Sequence, residues 1–418
     1  MNERIDKIAG QGGTEEISRR VFLNWTGSTA LLASTGLLTK VGRAYPASAG
    51  KVIRMGVVGG GFGAHFHWHQ HPNCKVTGVT DLRPERRDTL RKNYLCDAVY
   101  DSLEEMIKKA KDIDAVAIFS GAPDHAKHVK MCMERGWHVV SACPACMSVQ
   151  EAEMMKEVKG KTGLKYMMAE SSWYRQPTIY ARNMYKAGEF GELIYSEAEY
   201  YHNFANMHTT PENKGTLFRM PDGKRTWRWG LPPMHYPTHS LGFLTGVTGE
   251  RITKVSCLGY GNPDSPVLKD NRYNNPFWNE AAMMKTNKGN MCRCNVFWKV
   301  RSGGERAQWI GSKGALYMAL YQVHGNAKLP PDGKGGAVQI PEYWKTSEML
   351  PDSMRLASGH GGSAVFISAE FINALLEERE PEIDLYESLA MTVPGIIAHQ
   401  SALKDGEQLK VPNFDRKT

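Results

Sequence analysis

An α/β fold in two parts is predicted: an amino-terminal doubly wound parallel sheet, then a carboxy-terminal α/β domain built on a large, mostly antiparallel open sheet. Three observations carry this. A short apolar run, Lys51 to Val58, ends in the glycine turn Gly59-Gly60-Gly61-Phe62-Gly63-Ala64. Strand-length and helix-length segments then alternate as far as Glu170, the β-α-β-α order of a parallel sheet covered on both faces. Beyond Glu170 the strands lengthen and several alternate polar with apolar residues, as in an antiparallel sheet with one solvated face.

In the first part, strands are read at Val52–Val58, Lys75–Thr80, Ala115–Phe119, His138–Ser141 and Lys165–Ala169, with helices such as Leu103–Ala110 and Ala126–Arg135 between them. Gly136 and Gly163 close helices. Ala64 to Gln70 is read as a helix opening behind the glycine turn. In the second part, Pro177–Ala187 is a helix stopped by Gly188. Strands follow at Ile194–Tyr201, Thr253–Tyr260, Ala281–Thr286, Met291–Val300 and Arg306–Ile310. Two helices, Ser363–Glu377 and Tyr386–Ala402, close the chain. The stretches 203–227, 262–278 and 322–352 are long loops, which in compact domains usually serve function.

The chain has 418 residues, 41% of them hydrophobic, enough for two domains. Lys and Arg number 52 against 44 Asp and Glu, a dispersed net charge of +8. No basic stripe interleaved with aromatics is present, so nucleic acid is not an expected partner. The first 49 residues read as an export signal: Ser18-Arg19-Arg20-Val21-Phe22-Leu23, a weakly apolar stretch, then Ala47-Ser48-Ala49. This twin-arginine pattern places the mature protein in the periplasm or outside the cell, with its cofactor loaded beforehand. The apolar stretch is too short, and too broken by Gly27, Ser28 and Gly36, to hold the processed protein in a membrane. The domain plan is 1–49 signal peptide, 50–170 nucleotide-binding domain and 171–418 substrate and oligomerisation domain, with the last helices packing back on the first domain.

Gly59, Gly61 and Ala64 fit the G-x-G-x-x-G/A pattern of a Rossmann fold. The first glycine allows the tight turn and the second lets a pyrophosphate approach. Asp81 closes the next strand, 22 residues beyond Gly59. A carboxylate there accepts ribose hydroxyls and repels a 2′-phosphate, which favours NAD; Arg83 beside it leaves NADP open. Gly59, Gly61, Phe62, Gly63, Asp81 and Arg83 are the first cofactor candidates. Ligands of such sheets lie beyond the carboxyl ends of the strands, which adds Pro123 and His125 after the third strand and Cys143 and Pro144 after the fourth.

From the second part come Arg228, His235, Tyr236, His239 and His360. Tyr236 and His239 are spaced to share one helical face. A phenol and an imidazole together can take and return a proton on a substrate hydroxyl. No metal is expected. Cys143-Pro144-Ala145-Cys146 and Cys292-Arg293-Cys294 read as buried cysteines before they read as zinc or redox sites, and the alternating His65, His67, His69 and His71 share too little of one helix face to hold an ion.

Taken together, Gly59-x-Gly61, Asp81, Pro123-x-His125, Gly136-x-His138-Val139, Gly188-x-x-Gly191, Trp227-Arg228, His239 and the Ala398–Leu403 helix resemble the glucose–fructose oxidoreductase/inositol dehydrogenase (Gfo/Idh/MocA) superfamily. The resemblance implies hydride exchange between NAD(P) and a sugar or cyclitol carbon. It also implies a homo-oligomer, dimer or tetramer, assembled on the large sheet. The family's usual Glu-Lys-Pro is here Ala142-Cys143-Pro144, and its usual Asp four residues before the histidine is His235. Tyr236-Pro237-Thr238-His239 is similar instead to NAD-dependent glycosidases of that superfamily. The resemblance then implies His239 as principal base or acid, Tyr236 as its partner, and His125, Arg228, His235 and His360 as substrate contacts. The expected chemistry is a redox-neutral glycoside cycle; a net sugar dehydrogenase and a non-catalytic sugar-binding protein are the alternatives.

Overall fold

β1 (Ile53–Val58) is buried along nearly its whole length, as a central parallel strand must be. A computed structural model describes residues 50–202, 218–220, 222–300, 303–319, 327–329 and 335–416. The segment read as an export signal lies outside them, as do parts of the predicted loops 203–227 and 322–352.

The chain continues through β2 (Cys74–Thr80), α1 (Pro84–Tyr94), β3 (Val99–Tyr100), α2 (Leu103–Lys109), β4 (Ala115–Ile118), α3 (His125–Glu134), β5 (His138–Ser141), α4 (Val149–Thr162) and β6 (Tyr166–Met168). The six strands are parallel in the order β3-β2-β1-β4-β5-β6, so the chain reverses direction across the sheet between β1 and β4. Ligands of doubly wound sheets lie at that reversal. α4 opens with Ser148 accepting from the Glu151 N–H, while the Glu151 carboxylate reaches back to the Met147 N–H, a reciprocal cap.

The helix expected over Ala64–Gln70 is not formed. Two 3-10 turns, Phe62–His65 and Trp68–Gln70, replace it. Phe66 and Trp68 are both buried, at 3% and 0% exposure. Residues two apart point to different sides of an α-helix, so a regular helix would expose one of them. In the turns they stack on each other, and Phe66 stacks on Phe119. The four histidines therefore do not line a helix face: His71 bonds Asn373, and the His67 N–H bonds Ser368.

The second part runs α5 (Gln176–Lys186), β7 (Leu193–Tyr201), α6 (Thr238–Thr248), β8 (Ile252–Tyr260), α7 (Pro266–Lys269), β9 (Asn279–Thr286), β10 (Met291–Phe297), β11 (Gly304–Gly311), β12 (Ala315–Tyr317), β13 (Ala327–Leu329), β14 (Gly336–Ala337), α8 (Tyr343–Thr346), α9 (Gly359–Leu376), α10 (Leu385–Ala402) and β15 (Leu409–Lys410). Its strands order as β14-β13-β12-β11-β7-β10-β9-β8-β15, with only β7 and β10 parallel among the described pairs. The alternation read from the sequence sets the register. On the inner face Cys257, Ala282 and Cys294 fall opposite one another; on the outer face Met283 lies between Ser256 and Arg293. That outer face also carries Leu258, Tyr260 and Met291, and ion pairs of Glu197 and Glu199 with Arg293 and Arg306.

α9 and α10 return to the first sheet. Met168 donates its N–H to Ile383, and the Ala145 N–H reaches Thr392 on α10. Among the described residues no helix is long and apolar enough to cross a membrane.

Candidate active site

The glycine turn is shaped by what surrounds it. Gly59 has φ +98, and a Cβ there would sit 2.4 Å from the Phe119 carbonyl. A Cβ on Gly63 would meet the Phe119 ring at 2.7 Å. Phe62 stays partly exposed on top, edge-on to Phe66 and Phe119. Asp81 accepts from the Gly60 N–H at 2.7 Å and from the Arg83 N–H at 2.8 Å, which fixes its carboxylate against the turn. Arg83 is committed to Glu85 at 2.6 Å, so its charge is answered within its own helix. This cradle fits NAD: glycines where side chains would clash, an acid at the ribose position, and no free cation at Arg83 for a 2′-phosphate. Arg86, which the sequence reading did not single out, lies with its guanidinium 3.2 Å from where a Gly61 Cβ would be.

Past β4, a Cβ on Gly121 would sit 2.7 Å from the Trp227 indole, so Trp227-Arg228 is delivered onto the loop carrying Pro123. Past β5, Cys143 and Pro144 are joined by a cis peptide. Cys143 is buried, and burial, then the neighbouring Glu170, push its thiol well above the ordinary range. It is no thiolate and supplies no cation. Cys146, Cys292 and Cys294 are likewise buried, with their thiols pushed up by burial.

Two expected substrate contacts lie against groups of the protein itself. Both ring nitrogens of His125 face backbone carbonyls, Nδ1 to Pro144 at 2.8 Å and Nε2 to Ser120 at 3.0 Å. Both ring nitrogens lie against these carbonyls, so His125 sits between two cofactor-side loops. His235 points the other way from Tyr236. Its ring meets His399 on α10 at 5.2 Å, and burial, then His399, lower its pKa to about 3. His399 donates to Glu280 at 2.8 Å, whose other oxygen takes the Met234 N–H at 2.7 Å. These contacts brace the 3-10 turn Pro233–His235 from behind. A Cβ on Gly395 of α10 would fall 2.1 Å from the Met234 carbonyl, so helix and turn are in close contact.

That braced turn presents the next residues. Tyr236 caps it rather than sharing a helix with His239, which lies in α6's first turn. Their rings nevertheless lie 5.2 Å apart, and Tyr200 of β7 joins them, 4.7 Å from His239. Behind His239 stands Glu170, fully buried. Glu170 Oε1 accepts from His239 Nδ1 at 2.7 Å, from the Ser172 N–H at 2.9 Å and from the Ser172 hydroxyl at 2.8 Å. Burial pushes the Glu170 carboxyl up, but His239, Thr238 and the Ser172 N–H outweigh it and hold it at about 2. Burial pushes His239 down, and Glu170 outweighs it, leaving the imidazole raised. Glu170 and His239 are 69 residues apart, so no local spacing marks the pair.

Arg175 makes a bidentate pair with Glu305, at 3.0 and 2.9 Å. His360 sits at φ 56, the first of three consecutive left-handed residues, with its ring edge-on to Phe62 at 5.2 Å. Burial, then Arg175 and His239, lower its pKa. A non-glycine residue held there between the cofactor turn and the dyad is a costly conformation of the kind found at functional sites. Arg228 lies over the Trp227 ring at 4.0 Å and faces the phenols of Tyr236, Tyr200 and Tyr273. The structure thus gathers Tyr236, His239, Arg228 and His360, adds Glu170, Tyr200 and Arg175, and leaves out His125 and His235. Cys143, Glu170 and His239 also place one donor atom each within 4.8 Å of one another, the one such trio among the described residues. A groove lined by Arg251, Asp384, Tyr386 and Arg416 lies outside this gathering, and its charges are paired with each other.

Residues 53–170 match the family described as the oxidoreductase family with NAD-binding Rossmann fold, Gfo/Idh/MocA. The amino-terminal domain belongs to the Gfo/Idh/MocA oxidoreductases. Its cofactor is NAD, and the chain is an NAD-dependent enzyme of that oxidoreductase type. Residues 343–418 match the carboxy-terminal domain of glycosyl hydrolase family 109. The chain is 23% identical to a glycosyl hydrolase family 109 protein of Streptomyces filamentosus over 82% of this chain and 73% of that one. To one of Saccharopolyspora erythraea it is 21% identical, over 96% and 94%. Among solved structures, a levoglucosan dehydrogenase in complex with NADH and levoglucosan superposes with TM-score 0.71 at 15% identity, over 87% of this chain and all of that one. Scyllo-inositol dehydrogenase from Lactobacillus casei, with bound NAD(H) and scyllo-inositol, gives TM-score 0.63 at 20% identity. The fold shared with these dehydrogenases therefore extends through both sheets.

Proposed function

We propose that the protein processes glycosides through a closed redox cycle on a retained NAD, using His239 as base and acid. The Glu170–His239 pair carries this reading. NAD, held by the Gly59–Gly63 turn and Asp81, supplies a hydride acceptor and donor at a sugar ring carbon. The protein's residues supply the proton chemistry. Because His239 Nδ1 donates to Glu170, the neutral ring has its lone pair on Nε2. Nε2 takes the proton made acidic by an adjacent ring ketone, the aglycone leaves, water adds, and the proton returns. Glu170 stabilises the imidazolium that forms between these steps. Burial keeps the Tyr236 phenol protonated, against the opposing influence of Arg228, so Tyr236 holds a proton on the sugar oxygen. His360 and Arg228 contact the sugar. Cys143, standing where a fixed cation is usual, is consistent with no net dehydrogenation.

The names of the family 109 relatives support glycoside cleavage. The levoglucosan and inositol dehydrogenase likenesses favour a second reading, a net sugar dehydrogenase on the same residues. Assays on aryl glycosides before and after removal of the nucleotide separate the two. Cleavage falls when NAD is removed and returns when it is added, without reduced nicotinamide accumulating. Cleavage that persists without any nicotinamide contradicts the cycle; steady reduction of added NAD by a sugar supports the dehydrogenase.

A closed cycle also suits the twin-arginine pattern, because it needs no nicotinamide pool in the periplasm or beyond. Leu258, Tyr260, Met283 and Met291, at 60%, 64%, 45% and 49% exposure on three adjoining strands, support assembly into a dimer or tetramer through the open face.

A further inference from the structure

We propose that the sugar taken by this site carries an oxyanion, the carboxylate of a uronic acid or a sulfate ester, and that Arg228 is its receptor. The inference rests on the carbohydrate reading above and narrows it. Its ground is a charge without a counter-charge. Two other charged groups of the site are answered: His239 by Glu170, and Arg175 by Glu305 through two parallel bonds. On the loop that leads to Arg228, Lys224 is paired with Asp222 and Arg225 with Asp270. Arg228 itself has no ion-pair partner among the described residues. The groups that face it are the phenols of Tyr236, Tyr200 and Tyr273, all kept neutral by burial.

The guanidinium is also held in place. It lies on the Trp227 indole at 4.0 Å, that indole packs on Gly121, and the Trp227 carbonyl accepts from the Tyr273 hydroxyl at 2.5 Å. Its field reaches the neighbouring ring of His202, whose pKa falls to about 4 through burial first and Arg228 next. His202 is therefore uncharged near neutral pH. A half-buried cation costs desolvation, and leaving it unpaired is unfavourable unless a ligand completes it. A guanidinium offers parallel N–H groups that match the two oxygens of a carboxylate or sulfate. Tyr200 and Tyr236 beside it give a sugar ring apolar faces to lie against. A neutral hydroxyl would leave the charge unanswered.

The test is equilibrium binding to the NAD-loaded protein as purified. The probes are methyl glycosides of glucose and galactose, the matching methyl uronides and the matching sugar sulfates. At least one anionic series binds about 10- to 100-fold tighter than its neutral parent, the range for charge-assisted hydrogen bonds, and added salt narrows the gap. Arg228→Gln loses the preference, while Arg228→Lys, which keeps charge without the fork, retains part of it. Bound NAD in each variant serves as the check on folding; if Arg228→Gln loses it, Arg228→Lys and the salt dependence decide. Equal binding of neutral and anionic sugars overturns the inference, as does a preference that survives Arg228→Gln. NAD-dependent cleavage of neutral glycosides with no anionic preference would sink this inference and leave the cycle standing. Tight uronide or sulfate binding by a protein whose cleavage ignores NAD would do the reverse.

Discussion

Replacing His239 with alanine lowers turnover by about a hundred- to ten-thousand-fold, the range for losing a positioned acid–base group, while NAD remains bound. The two readouts separate because the residues that serve them are separate. The cofactor cradle is built from the β1 turn and Asp81, which make no bond to His239. His239 bonds Glu170 and stands against Tyr236 and Tyr200. Its removal deletes the imidazole that Glu170 orients beside Tyr236 and Tyr200. Steady-state kinetics on whichever glycoside the wild type cleaves, with nucleotide released from denatured protein measured alongside, checks this. Loss of the nucleotide together with activity would assign His239 to binding; unchanged turnover would remove it from the chemistry.

Glu170→Gln produces the second large effect, on pH dependence and on stability. In the native protein Glu170 raises the His239 pKa and is itself held at about 2. With a neutral amide there, burial acts on the imidazole with less opposition, and its pKa falls. The acidic limb of the pH–rate profile, set by the need for neutral His239, therefore moves to lower pH. The ceiling also drops, because the imidazolium formed in the reaction loses its carboxylate. For stability the directions are fixed by the two shifts. The depressed Glu170 contributes above the ordinary carboxylate value of 4.5, and that contribution is lost as pH falls toward 2. The raised His239 contributes fully below 6.5, and its share is lost as pH rises through its native value. Between 4.5 and 6.5 both are present, so the variant's deficit is largest there, on the order of 3 kcal/mol for a buried pair stripped of one charge. Chemical denaturation across that window, with pH–rate profiles of both proteins, checks both parts. A profile whose acidic limb does not move contradicts the dyad.

The parallel sheet was legible because its signals are local: apolar runs, a glycine turn, an acid at the end of the next strand. The antiparallel sheet was legible from alternation, and its short strands β12 to β15 were missed because two or three residues carry no period. The stretch after the glycine turn misled, since helix propensity was read where the paired burial of Phe66 and Trp68 decides the backbone. The site divides along the same line. Tyr236 and His239 were visible as a four-residue motif. His125 and His235 have the right chemistry by type, yet His125 is set between the Pro144 and Ser120 carbonyls, and the partner of His235, His399, comes from far along the chain. Glu170 is 69 residues from His239, and Arg175 is 130 from Glu305. No spacing rule reaches across such intervals; the packing of α6 on the turn Ser171–Tyr174, and the reach of Arg175 to β11, create those pairs.

The central claim is that a sugar is oxidised, deprotonated beside the new carbonyl and then reduced again within one turnover. Cleavage of a glycoside in heavy water, followed by mass and NMR analysis of the sugar, tests it most directly. The account predicts solvent deuterium on the ring carbon next to the oxidised one, with the hydride at the oxidised carbon returned from the protein's own NAD rather than from solvent. A released sugar carrying no carbon-bound deuterium would mean that its ring C–H bonds were never opened to proton exchange, and would contradict the account.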